Sequence, residues 1–130
     1  MADYTLKNLQ EIEDQAPKFG LAPNLEARFA RTPLETENLG ISYQRLAPEF
    51  RVPFGHKHGE QEEIYVVLSG SARLKLDEEI IELKPRDVVR VAKDTMRNFE
   101  AGSEGAEILA IGAGESGIGD AEMTQGWWPD

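Results

Sequence analysis

Gly55-His56-Lys57-His58-Gly59-Glu60-Gln61-Glu62-Glu63-Ile64-Tyr65-Val66-Val67-Leu68-Ser69-Gly70 is the most informative stretch of this 130-residue chain. In extended backbone, residues i and i+2 point to one face with Cα atoms roughly 6.5–7 Å apart. His56 and His58 then present two imidazoles to one side, close enough to share an ion. Gly59 allows a sharp turn. Glu63 opens the following strand, from which its carboxylate reaches the same point. Two nitrogens and one carboxylate on one side of an ion suit Fe(II), Mn, Ni or Zn and leave coordination positions open. The chain has only these two histidines, and both fall inside the motif.

Short strand-like runs spread outward from this stretch. Residues 64–68 are a continuous apolar run, as expected of a strand covered on both faces. Residues 72–76 alternate apolar and charged side chains, Asp77-Glu78 reads as a turn, and residues 80–83 return. Residues 88–92 follow a turn at Pro85, and residues 108–111 form the last clear strand. Before the motif, residues 25–31 have an edge-like composition. Residues 41–47 alternate, with Ile41, Tyr43 and Arg45 on one face and Ser42, Gln44 and Leu46 on the other. Closely spaced short strands with little helical periodicity predict an all-β sandwich or barrel. Residues 1–24 read as an N-terminal extension laid over the barrel. A short helical turn is expected at 9–14, and Pro17, Gly20 and Pro23 break any longer run. Residues 25–112 make the barrel and 113–130 a glycine-rich C-terminal tail. That tail ends in Trp127-Trp128, which need cover from the barrel or from a second subunit.

Composition narrows the function classes. Lys and Arg number 14 against 24 acidic residues, a net charge of −10. A duplex binder needs clustered cations to displace counterions from phosphate, so neither nucleic acid nor an anionic membrane is an expected partner. There is no cysteine, which removes disulfides, thiolate chemistry and sulfur-ligated zinc. No stretch approaches the roughly 20 apolar residues of a membrane span. The N-terminus has no apolar signal core, and a cytoplasmic location is the default expectation.

The segment from His56 to Gly70 resembles the first motif of the cupins: His-x-His, three or four residues, Glu, six residues, Gly. Here His56 and His58 precede four residues, then Glu63, six more, and Gly70. The second cupin motif resembles residues 85–97, where Asp87 and the valine-rich strand fit the pattern. Ala92 stands in place of the family's Pro, Asp94 in place of its Gly, and Arg97 where the fourth ligand, a His, is expected. The resemblance spans about residues 41–112. It implies a jelly-roll barrel (a double-stranded β-helix) with a central small-molecule pocket. It also implies a homodimer paired through exposed edge strands, which small β domains tend to leave open.

Arginine has no lone pair and cannot replace a histidine ligand. Two readings of the site stay open, and with them whether the protein is an enzyme, beside a third, a purely structural or interaction role resting on the Trp-bearing tail. In the first, His56, His58 and Glu63 hold a divalent ion (Fe, Mn, Ni or Zn) in an oxygenase-, isomerase- or lyase-type site. Arg97 there clamps an anionic substrate. In the second, Arg97 neutralises Glu63, and a metal-free barrel binds or senses a small anionic ligand. Tyr65 shares the parity of Glu63, and Tyr43 and Arg45 share a face. All three join Arg97 as candidate ligand-binding residues. Gln61 reads as a solvated turn residue, Glu60 and Glu62 as solvent-facing, Phe54 as a core plug and Arg51 as part of the barrel mouth.

Overall fold

The apolar run after the histidines becomes the first half of a long strand. In chain order the strands are β1 (Leu25–Phe29), β2 (Leu39–Leu46), β3 (Phe54–His58), β4 (Glu63–Leu76), β5 (Glu79–Leu83), β6 (Val88–Val91), β7 (Arg97–Ala113) and β8 (Ala121–Gln125). This computed structural model describes residues 1–113 and 120–129. Residues 114–119, the glycine-rich start of the expected tail, and residue 130 lie outside the described residues. The strands form one antiparallel sheet in the order β1-β2-β7-β3-β8, and β4 joins β7 while also pairing with β5 and β6. The fold is the curled all-β jelly-roll barrel expected from strand spacing and motif. Among the described residues the only α-helix is the single turn Arg31–Leu34, and no helix is long and apolar enough to cross a membrane.

The curl comes from two long strands that bend together. Residues 97–101 of β7 pair with 72–76 of β4, and residues 106–112 pair with 63–70. A register shift at Gly70/Ala72 separates these two halves, and a second falls just before it at Val67/Ser69. Such irregularities bend a strand and increase its local twist. Gly70 sits at the bend with φ 74°, and a Cβ there would lie 2.0 Å from the Gly105 carbonyl oxygen. The motif's glycine is therefore a packing requirement of the barrel. Gly70→Ala is expected to destabilise the fold by roughly 2–5 kcal/mol, adding left-handed backbone strain to overpacking. Urea unfolding would show this as a lower midpoint at an unchanged slope.

Parity decides what is inside. Tyr65 and Val67 of β4 point inward, where they meet Leu46, Leu74, Phe99 and Ile108, all buried. The Tyr65 and Phe99 rings pack edge to face with centroids 4.9 Å apart. Ile64 and Leu68 of the same run point outward and stay exposed, as does Val88. The run is thus covered on one face within this chain, whereas its unbroken apolarity predicts cover on both.

The N-terminal segment is tied to β1. Ile12 and Ala16 are buried, and the Asp14 carboxylate accepts the backbone N–H groups of Ala16 (3.0 Å) and Ala27 (2.9 Å). The turn expected at 9–14 is a shorter 3-10 turn, Leu9–Glu11, followed by a second at Ala16–Phe19. At the other end, the sheet continues past residue 112. β8 pairs with β3 along its whole length, from Phe54↔Gln125 to His58↔Ala121. Trp128 is buried against its own barrel, with the Arg51 guanidinium 4.4 Å from its ring centroid and that of Arg73 at 5.3 Å.

Candidate metal site

β3 carries both histidines in extended backbone, clamped between β7 and β8 by the pairings His56↔Arg97 and His56↔Met123. Glu63, the first residue of β4, is held opposite Val91 of β6 and Gly112 of β7. These constraints bring the three side chains together. Glu63 Oε1 lies 3.4 Å from His56 Nε2 and 3.2 Å from His58 Nε2. One donor atom from each residue falls within 4.8 Å of the other two. Bonds of about 2.0–2.2 Å to a first-row divalent ion place neighbouring ligand atoms roughly 3.0–3.5 Å apart, and both measured separations fall in that range. His58 Nε2 is buried and, among the described residues, has the Glu63 carboxylate beside it as an ion-pair neighbour but no hydrogen-bond partner. A buried acceptor left unpaired is costly, and a metal ion would satisfy it. The residues present therefore fit a divalent ion.

Arg97 crowds the same carboxylate. Its side chain is fully buried, with Nη2 3.5 Å from Glu63 Oε1. Nε donates to the Tyr65 hydroxyl (3.1 Å), and Nη1 donates to the carbonyls of Thr95 (2.8 Å) and Lys93 (3.4 Å). The Tyr65 hydroxyl in turn donates to Glu63 Oε1. Nη2 itself has no hydrogen-bond partner among the described residues. Burial acts to raise the Glu63 pKa, but the His56 and His58 imidazoles and the Tyr65 hydroxyl outweigh it, and the carboxyl is held well below its usual range. Burial, helped by the Glu63 charge, pushes the Tyr65 phenol well above its usual value. Tyr65 therefore remains a donor and Glu63 an anion. For His58, burial favours the neutral ring, yet the Glu63 and Asp120 carboxylates prevail and its pKa rises.

Of the residues singled out in the sequence, His56, His58, Glu63, Tyr65 and Arg97 share this site. Tyr43 and Arg45 do not. Their face of β2 is the outer one, where Tyr43 donates to Glu107 and Arg45 pairs with Glu26 at 2.9 Å. Ser42 and Leu46 take the buried face instead. Both faces of β2 carry polar side chains, so alternation alone could not choose between them. Arg51 pairs with Glu100 at 2.7 Å, away from the histidines, and Phe54 packs on the core. Glu60 and Glu62 are exposed as expected. Gln61, read as a solvated turn residue, is instead buried and donates to Asp120 at 3.0 Å. Asp120 has no counterpart in the sequence reading. It approaches His58 Nδ1 at 2.8 Å from 62 positions along the chain, and no local pattern marks it.

Fold and site together define a small jelly-roll barrel with a His-His-Glu cluster facing its interior. The profile of the cupin domain matches residues 42–112, and the chain belongs to the cupin family. Among solved structures it is similar to a cupin protein from Bacteroides fragilis, at 27% identity over 88% of this chain and 86% of that one, with a TM-score of 0.72. The fold also matches KdgF from a Halomonas species, at 17% identity over 72% of this chain and 83% of that one, TM-score 0.62. Oxalate decarboxylase from Bacillus subtilis matches at 23% identity and TM-score 0.73, over 91% of this chain but only 32% of that enzyme. No curated protein sequence matches.

Proposed function

We propose that this cupin holds a divalent metal ion through His56, His58 and Glu63 and binds a small anionic molecule beside it, oriented by Arg97, with Tyr65 bridging Arg97 and Glu63. The observation that carries this reading is a pair of buried orphans with opposite needs. Among the described residues, His58 Nε2 and Arg97 Nη2 each have only the Glu63 carboxylate as an ion-pair neighbour, at 3.2 and 3.5 Å, and no hydrogen bond. A cation satisfies the first, and an oxygen-bearing anion next to that cation satisfies the second. Either alone leaves a buried polar atom unpaired. When bound, such an ion acts as a Lewis acid toward an oxygen of the ligand. The chain's own part is then to supply three ligands, keep Tyr65 protonated as a donor and present a guanidinium that never loses its charge. Oxygenation, isomerisation and lyase chemistry are the reaction classes to screen. The structural similarity to oxalate decarboxylase makes small carboxylic acids the first candidate ligands.

The second reading, a metal-free barrel, is favoured by the contact of Arg97 Nη2 with Glu63 Oε1 at 3.5 Å. A divalent ion about 2.1 Å from that oxygen would lie within roughly 6 Å of the guanidinium nitrogen. At an effective dielectric of about 20, the repulsion there is on the order of 5 kcal/mol. Elemental analysis of untagged protein separates the two readings. Near-stoichiometric Fe, Mn, Ni or Zn, lost on chelation and lost in His58→Ala, is the expected result. Metal-free protein that also fails to take up Mn or Zn in calorimetry, with and without a small dicarboxylate, would exclude the first reading.

A further inference from the structure

The turn after β3 is closed from outside the cupin motif. Asp120 lies immediately before β8 and beyond the residues that the family profile matches. Its side chain is only 10% exposed. Oδ2 accepts the backbone N–H groups of Glu60 (2.7 Å) and Gln61 (3.2 Å), and Oδ1 accepts from Gln61 Nε2 (3.0 Å). The same Oδ1 lies 2.8 Å from His58 Nδ1, and the Asp120 carbonyl accepts the Gly59 N–H at 3.2 Å. One residue thus holds His58, Gly59, Glu60 and Gln61, four consecutive positions that lead from the second histidine toward the strand that carries Glu63.

An ionised carboxylate only accepts hydrogen bonds, so His58 Nδ1 must carry the proton in this contact. A neutral imidazole has one protonated nitrogen and one lone pair, and the partner of one nitrogen sets the role of the other. With Nδ1 as donor, the lone pair falls on Nε2, the atom that lies 3.2 Å from Glu63 Oε1 and has no hydrogen-bond partner among the described residues. Carboxylates that hold the far nitrogen of a metal-ligating histidine fix its orientation and raise its basicity.

We propose that Asp120 is the positioning residue of the metal site: it fixes His58 in the Nδ1–H tautomer and thereby makes metal affinity depend on docking of the C-terminal strand. This inference rests on the metal reading above only for its second half. The strand that delivers Asp120 has its own anchors. β8 pairs with β3 from Phe54 to His58, Gly126 N–H donates to the Pro53 carbonyl at 2.9 Å, and Trp127 lies over Gly55. The contact with Gly55 is so close that a Cβ there would come within 2.7 Å of the indole. Docking and ion binding therefore share one element, and each stabilises the other through linkage.

The test uses the full chain. His56→Gln leaves His58 as the only imidazole, so long-range 1H–15N NMR of the metal-free protein reads its tautomer directly, at a pH where the ring is neutral. The expected result is an Nδ1–H ring in that background and a shift toward Nε2–H on adding Asp120→Ala. In a chain with both histidines, Asp120→Ala is expected to weaken Zn or Mn binding by about 10–100-fold in calorimetry. Asp120→Asn, which keeps one acceptor oxygen, should fall between and serves if the alanine variant does not fold. Tryptophan emission, which reads Trp127 and Trp128 alone, should become less sensitive to added metal in both variants. An unchanged His58 tautomer with metal affinity within twofold of the parent would overturn the proposal. A parent chain that binds no metal, yet shows the tautomer change, refutes the metal reading and leaves the positioning role of Asp120 standing.

Discussion

Arg97→His is expected to raise the affinity of the metal-free, ligand-free protein for Zn, Mn or Ni by 100-fold or more. The guanidinium is fully buried, and its Nη2 is 3.5 Å from the one carboxylate of the ligand set. A hundredfold gain is about 2.8 kcal/mol, well below the several kcal/mol of repulsion that a monovalent and a divalent cation exert at that range. Position 97 lies opposite His56 in the β3–β7 pairing, so a histidine there adds a ligand from the neighbouring strand as well as removing a charge. Calorimetric titration of both proteins checks this, and repeating it with a small dicarboxylate sharpens the outcome. An anion that pairs with Arg97 should raise the affinity of the parent and leave Arg97→His nearly unmoved, because the coupling between ion and anion runs through the guanidinium. Equal affinities in both proteins, with and without the anion, would mean that Arg97 does not act on the ion.

Glu63→Ala is expected to cost about 3–5 kcal/mol of folding stability, the usual loss when a buried ion pair is broken and one charge is left behind. Arg97 would keep the Tyr65 hydroxyl and the Lys93 and Thr95 carbonyls as acceptors, none of which carries a formal charge. Adding Arg97→Met to Glu63→Ala should recover most of the loss, since a neutral side chain of similar length needs no counter-ion. Urea denaturation of the four proteins in this cycle measures the coupling. A Glu63→Ala loss below about 1 kcal/mol would show that the neutral acceptors alone satisfy the guanidinium. The same variant removes the only anionic ligand and should abolish metal uptake whatever its stability.

Much of this was legible before any coordinates. The parity of His56 and His58, the turn at Gly59 and the apolar strand behind Glu63 are local properties. Backbone periodicity converts them into geometry with little help from the rest of the chain. Tyr65 followed from the same parity, because it sits two positions after Glu63 on one strand. Tyr43 and Arg45 failed for the complementary reason. β2 alternates correctly, but both of its faces are partly polar, and only its neighbours decide which one is inside. Gln61 failed because a glutamine between two glutamates reads as solvated, and nothing nearby announces a carboxylate that buries it.

The sequence by itself determined the three candidate ligands, which follow from residue type and short-range spacing, while the class of barrel and the place of Arg97 beside them followed from the resemblance to the cupin motifs. Tertiary structure alone decided that the Arg97 guanidinium contacts the Glu63 carboxylate, that Tyr65 bridges them, and that Asp120 reaches His58 from the C-terminal strand. Apart from Tyr65 to Glu63 on one strand, those contacts join residues dozens of positions apart. Their distances follow from how β3, β4, β7 and β8 curl around a common interior, a property of the curled sheet that no single segment carries.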